Sequence, residues 1–183
     1  MPKVGPVPAT DVVTLDEQPS RDDAVEVLFR RLYPELLRLA YCLIADRPQA
    51  EDVVQDAFVS LYAHWDGLRD ANAAPDYLRS AVFNRCRSRL RTLVRERAAR
   101  PLRLAREADD SSEDVEMARD EGSRLVRAVQ RLPRRQREVV ACRYYLELSV
   151  AETAAQLDIT VGSVKRHTHR AIEALIVRME AVP

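Results

Sequence analysis

The sequence predicts an all-α fold made of two small helical domains. Three observations predict it. Apolar residues recur at helical spacing from Val25 to Met179, no stretch shows a strand-like pattern, and a polar acidic segment near residues 107–122 splits the helical pattern in two. No internal repeat is present, and 183 residues suffice for two such domains.

Taken in order, residues 1–20 hold four prolines and few large apolar side chains, the composition of a disordered tail. Val25, Leu28, Phe29 and Leu32 open the first helix. Its pattern continues past Pro34, a place for a bend, through Leu36, Leu37, Ala40, Tyr41 and Ile44. Asp46-Arg47-Pro48 breaks it. A second helix runs from about Pro48 to His64, with Val53, Val54, Ala57, Phe58, Leu61 and Trp65 on one face. Residues 66–76 form a polar loop with turn chemistry. A third helix starts near Asp76, its expected cap, turns Tyr77, Leu78, Ala81, Val82 and Cys86 inward and carries arginines on its other side to about Arg100.

The stretch 107–122 is acidic, poor in apolar groups and ends in Gly122, which reads as a flexible linker. Helical spacing resumes with Leu125, Val126, Val129 and Leu132. Pro133 suits the first position of the next helix, RRQREVVACRYYL. The resulting division is a tail over 1–20, domains over 21–104 and 123–180, and a linker over 105–122.

Residues 149–175 are the most informative. Ser149 with Glu152 forms a capping box, so a helix starts at Val150. Ala151, Ala154, Ala155 and Leu157 give it a small apolar face. Asp158-Ile159-Thr160 ends it, and Thr160 caps a second helix whose Val164, Ala171 and Leu175 point inward. Ser163, Lys165, Arg166, His167, His169 and Arg170 occupy its outer face. A helix about 10–12 Å across with long donors outside fits the DNA major groove. This is the pattern of a helix-turn-helix with its recognition helix last. Basic amphipathic helix pairs also occur in proteins that never touch nucleic acid; the compact turn, capping box and cationic cluster favour DNA.

The formal net charge is zero, but it hides segregation. Arg79 to Arg106 holds ten arginines and one acid, a segment of +9, and Glu107 to Glu121 holds eight acids and one base, a segment of −7. Local patches therefore decide what the chain binds. Cys42, Cys86 and Cys142 lack metal-ligand spacing, and their odd number argues for buried thiols in a reducing cytoplasm. No apolar core of a signal peptide opens the chain and no stretch reaches the ~18 apolar residues of a membrane span. His64, His167 and His169 have no nucleophile or metal-ligand partner at a recognisable spacing, so no catalytic site, metal or other cofactor is expected.

Three segments occur together and in order: AEDVVQDAFVSLYAHW (50–65), YLRSAVFNRCRSRLR (77–91) and LPRRQREVV…LSVAETAAQLDITVGSVKRHTHRAIEAL (132–175). In this the chain resembles the extracytoplasmic-function sigma factors, small two-domain initiation factors of bacterial RNA polymerase, most of all the actinobacterial group. The resemblance covers nearly everything from Leu32 to Leu175. It implies that Asp52, Gln55 and Asp56 meet the clamp helices of the largest subunit of core polymerase, whose flap is a second contact. Read from the residues alone, Asp52 and Asp56 suit solvated charges near a helix N-terminus.

The resemblance further implies that Trp65, the loop 66–76 and the helix from Tyr77 open and read the −10 promoter element. Asn84 and Arg85 match an Asn-Arg pair there. Asn84 would meet a base edge, and Arg79, Arg87 and Arg91 phosphates. It places the −35 element on the last helix, with Lys165 and Arg166 at the leading base contacts, His169 and Arg170 one turn later, Arg170 on phosphate, and Ser163 near the DNA backbone. Asp158 stands where the family turn usually has glycine, a left-handed position that Asp tolerates. The two histidines are unusual, so base preference does not carry over. The acidic linker suits either RNA mimicry or a solvated tether. An anti-sigma protein is a common further partner. The implied function is promoter-specific initiation by a non-enzyme. A stand-alone helix-turn-helix regulator explains only 149–175, and a nuclease would need clustered acids where this chain has them in its linker.

Overall fold

The computed structural model describes residues 20–68, 70–99 and 121–180, and among these it contains helices and turns but no strand. The tail over 1–20 lies outside these residues except for Ser20, as does the linker over 105–122 except for Glu121 and Gly122, which already belong to a helix.

Helix α1 (Arg21–Ile44) is capped by the Ser20 hydroxyl, which accepts from the Asp23 N–H at 3.2 Å, with Asp22 and Asp23 favourably placed in its first turn. Pro34 lies inside it, and the helix continues on both sides. It ends at Ala45, left-handed at φ 57°, whose N–H donates to the Tyr41 carbonyl at 2.9 Å. Helix α2 (Arg47–Ala63) begins at the Asp46 cap, with Pro48 in the first turn where a missing N–H costs nothing.

The expected loop is more ordered than turn chemistry alone suggests. Short 3-10 turns span Trp65–Gly67 and Ala71–Ala73, and Asp70 caps the second by accepting from the Asn72 N–H at 2.9 Å. Helix α3 (Ala74–Ala99) then starts two residues before Asp76, so Asp76 is a first-turn acid and not the cap. Pro75 explains the shift, because its fixed φ suits a first helical turn. Leu36, Leu43, Val54, Leu61, Leu78, Val82 and Phe83 fill the space between α1, α2 and α3.

Helix α4 (Glu121–Gln130) leads to α5 (Arg134–Val140), with Pro133 as cap residue just before the first turn. The same helical path then widens into a π-turn over Ala141–Tyr145, marked by the Leu146 N–H reaching the Ala141 carbonyl at 3.0 Å. Helices α6 (Val150–Leu157) and α7 (Val161–Glu180) complete the fold. In α6 the buried residues are Thr153, Ala154 and Leu157, whereas Ala151 and Ala155 are exposed, so the inner face is rotated from the one the alanines predict. Helices α4, α5 and α6 each pack on α7, and α4 and α5 also pack on α1. A single apolar cluster consequently runs from Leu32 through Phe83 to Val139, Cys142 and Val164.

Candidate nucleic-acid interface

The helix-turn-helix is fixed by local chemistry. Ser149 Oγ accepts from the Glu152 N–H at 3.1 Å while the Glu152 carboxylate accepts from the Ser149 N–H at 2.8 Å, closing the capping box. Hydrogen bonding to the Ser149 side chain first, and to its backbone N–H second, holds the Glu152 carboxyl below its usual range. Asp158 ends α6 at φ 55°, ψ 55°, the left-handed geometry its turn position requires. Thr160 Oγ1 caps α7 by accepting from the Ser163 N–H at 3.1 Å and lies 2.9 Å from the Ser163 hydroxyl.

Val164 and Ala171 are buried beneath α7, which leaves Lys165, Arg166, His169 and Arg170 exposed in one band, with Ser163 half-buried at its start. His169 Nε2 lies 3.3 Å from Glu173. His167 is half-buried; burial first, then Arg166, Arg170 and Arg135, lower its pKa. A groove beside the band is lined by Arg143, Val150, Lys165, Thr168, His169 and Ile172. The band is cationic, convex and accessible, as major-groove contact demands.

On α2, Asp52, Gln55 and Asp56 are exposed while Val53, Val54, Ala57 and Phe58 face the core. The exposed stripe continues at helical spacing into Val59, 69% exposed, and Tyr62, 40% exposed. Sequence reasoning omitted these two. Their spacing from Gln55 and Asp56 is the signal that finds them. A row of acid, amide and apolar groups suits a protein partner better than a polyanion.

The predicted strand-reading residues of α3 are differently placed. Arg79 pairs with Glu35 at 3.3 Å and Asp76 at 3.1 Å; burial works against its charge, but Glu35, Tyr145 and Asp76 together outweigh it and raise the pKa. Arg85 Nη2 donates to the Asp56 carbonyl at 3.1 Å, and Arg89 Nε to Gln49 Oε1 at 2.9 Å. Asn84 Oδ1 accepts from Gln156 Nε2 at 2.7 Å. Arg87 is only 8% exposed and its guanidinium donates to the carbonyls of Gln156 and Leu157, at the end of α6. Burial, then neighbouring Arg91, lowers its pKa. Arg91 is exposed and Trp65 is half-buried against the core. Among the described arginines of this face, Arg79, Arg85, Arg87 and Arg89 thus have partners within the chain.

Cys42, Cys86 and Cys142 are free thiols. Among the described residues no group of His, Cys, Asp or Glu could hold a metal ion, and no helix is long and apolar enough to cross a membrane.

Comparison with known proteins covers both halves of the chain. Residues 28–96 match Sigma-70 region 2 and residues 123–175 match Sigma-70, region 4. The chain is 33% identical over 146 residues to an RNA polymerase sigma-E factor of Streptomyces avermitilis, covering 80% of this chain and 79% of that protein. It is 33% identical over 148 residues to the ECF RNA polymerase sigma factor SigM of Mycobacterium tuberculosis, covering 81% and 73%. Among solved structures it shares its fold with the sigma factor RpoE of Bartonella quintana, in complex with the anti-sigma factor NepR. The TM-score there is 0.57 at 20% identity, over 86% of this chain and 98% of that one. It also shares its fold with CnrH in complex with the cytosolic domain of CnrY, with a TM-score of 0.51 at 22% identity, over 89% and 96%.

Proposed function

The chain belongs to the sigma-70 family, in its extracytoplasmic-function class, and we propose that it acts as a promoter-specificity subunit. It binds core RNA polymerase, recognises −35 and −10 elements and aids melting of the −10 region. It works in the cytoplasm, without catalytic chemistry of its own. The observation that carries this reading is the presence of both sigma regions in one chain, each with its own surface. The stripe Asp52, Gln55 and Asp56 on α2 meets the clamp helices, while Lys165, Arg166, His169 and Arg170 on α7 meet the −35 duplex, with Ser163 at the DNA backbone.

Residues 21–104 form the polymerase and −10 domain, 123–180 the −35 domain, and 105–122 the tether. Trp65, Arg79, Asn84, Arg85, Arg87 and Arg91 serve the separated −10 strand, the arginines through phosphates and Asn84 through a base edge. The complexes of the two structural neighbours support control by an anti-sigma protein. A stand-alone regulator leaves residues 28–96 without a purpose.

The test is pull-down with core polymerase followed by run-off transcription on genomic fragments. Core-dependent transcripts from discrete start sites are expected. No affinity for core, together with tight unaided binding to a duplex, would replace this reading with the stand-alone regulator.

A further inference from the structure

His167 sits where α7 packs on α5. Its ring is half-buried, and Nδ1 is buried without a hydrogen-bond partner. The ring can therefore meet an outside group only through Nε2. Arg170, one turn along the same helix, and Arg166, its neighbour in the chain, are both exposed. Arg135 joins them from α5, with its side chain 47% exposed. It uses a single nitrogen, Nη1, towards both the Glu138 carboxylate at 2.9 Å and the Leu157 carbonyl at 3.5 Å. That leaves Nη2 for a further acceptor.

The charges that act on the ring are of one sign. Burial first, then Arg166, Arg170 and Arg135, disfavour its cationic form. Among the described residues, α4 and α6, the other helices packed on α7, bring no charge to bear on it. Glu138, Glu152 and Glu173, acids of these elements, are engaged by Arg134 and Arg135, by the α6 cap and by His169 respectively. We propose that Arg135, His167 and Arg170 form a proton-linked phosphate site: the ring is neutral in the free chain and takes up a proton when a phosphodiester of the −35 duplex lies against the two arginines, so that affinity for the element rises on acidification. The proposal rests on the −35 assignment to α7.

The coupling follows from charge. An anion against Arg135 and Arg170 offsets the repulsion that keeps the proton off the ring, and a protonated Nε2 donates a charge-assisted hydrogen bond to it. Linkage is reciprocal, so the proton strengthens phosphate binding by the factor by which phosphate strengthens proton binding. One proton changes affinity by at most about tenfold per pH unit. His169 is the internal comparison, since it stands on the same helix, exposed and 3.3 Å from Glu173.

The experiment titrates the full chain with a fluorescent duplex bearing the −35 element of a promoter found by run-off transcription, at one salt concentration and from pH ~5.5 to ~8. The natural chain is expected to bind about fivefold or more tightly at the acidic end, the low end of coupling between linked sites. His167→Gln is expected to lose that gain and His169→Gln to keep it, with circular dichroism confirming that both are folded. On the natural chain itself, the His167 ring-proton resonance should titrate at higher pH with the duplex than without it. A pH-independent affinity, an equal acid gain in His167→Gln, or a His167 midpoint unmoved by the duplex overturns the proposal. Core-dependent transcription from the same promoter is read in parallel. Its absence faults the −35 reading, whereas transcripts with a pH-independent −35 affinity fault the proton coupling alone.

Discussion

The Glu138 carboxylate, with no exposed surface, accepts from Arg135 Nη1 at 2.9 Å, and the same Arg135 atom lies 3.5 Å from the Leu157 carbonyl at the turn between α6 and α7. Arg134 Nε completes the site at 2.8 Å from Glu138. A buried acid thereby holds the arginine that faces the end of α6.

Glu138→Gln should lower stability by about 2 kcal/mol, the scale of a hydrogen bond to a charged group, because both arginines can still reach water. Replacing Arg134 and Arg135 together by Ala removes both hydrogen-bonded partners of the buried carboxylate, leaves only the more distant charges of Arg87 and Arg137, and should cost about 3–5 kcal/mol. Urea unfolding midpoints decide between them. A double variant as stable as Glu138→Gln would show that Glu138 does not need its pair.

Lys165→Ala combined with Arg166→Ala should weaken promoter selection by roughly 30-fold or more, at about 1–3 kcal/mol per lost contact, while leaving core-polymerase binding intact. Asp52→Ala combined with Gln55→Ala should do the reverse. Core pull-down and run-off transcription on each pair measure both arms. If both pairs weakened only DNA affinity, the two surfaces would have been misassigned.

His167 gives a pH dependence of defined sign. Its folded pKa lies below the unfolded ~6.5, through burial first and then Arg166, Arg170 and Arg135. The stability it contributes is therefore present above ~6.5 and lost as pH falls through the folded value. Melting temperatures of the natural chain and His167→Gln should diverge on acidification from pH ~7.5 to ~5.5, in favour of the variant. A constant difference would show that His167 does not titrate in that window.

Burial pushes Cys86 and Cys142 up to about 12 and Cys42 up to about 11. Since the thiolate is the nucleophile, the folded chain should show almost no reaction with a thiol reagent at pH ~8, and all three cysteines should react in guanidinium. Rapid labelling of Cys86 in the folded chain would mean that α3 opens far more readily than its packing suggests.

The elements most legible in the sequence are those set by local chemistry. Ser149 with Glu152, Thr160 and the left-handed Asp158 place both helices of the helix-turn-helix because capping involves residues three or four apart. The start of α3 is less legible because Asp76 resembles a cap, while Pro75 and the Asp70 turn act earlier. Phe83 escaped the core pattern because α3 is buried on more than one side, and a single-stripe reading admits one. The π-turn at Ala141–Tyr145 has no local signature. Tyr145 lies there beside Glu35 and Arg79, residues far away in sequence. For the same reason Arg87 read as one exposed arginine among many: its acceptors, Gln156 and Leu157, lie some seventy residues further along.

The unequal exposure of α3 and α7 divides one residue type between two kinds of work. Arg87 is spent on the Gln156 and Leu157 carbonyls and belongs to the architecture, whereas Arg166 and Arg170 face solvent. An exchange of arginine for lysine should therefore register as lost stability on the first helix and as altered surface chemistry on the second.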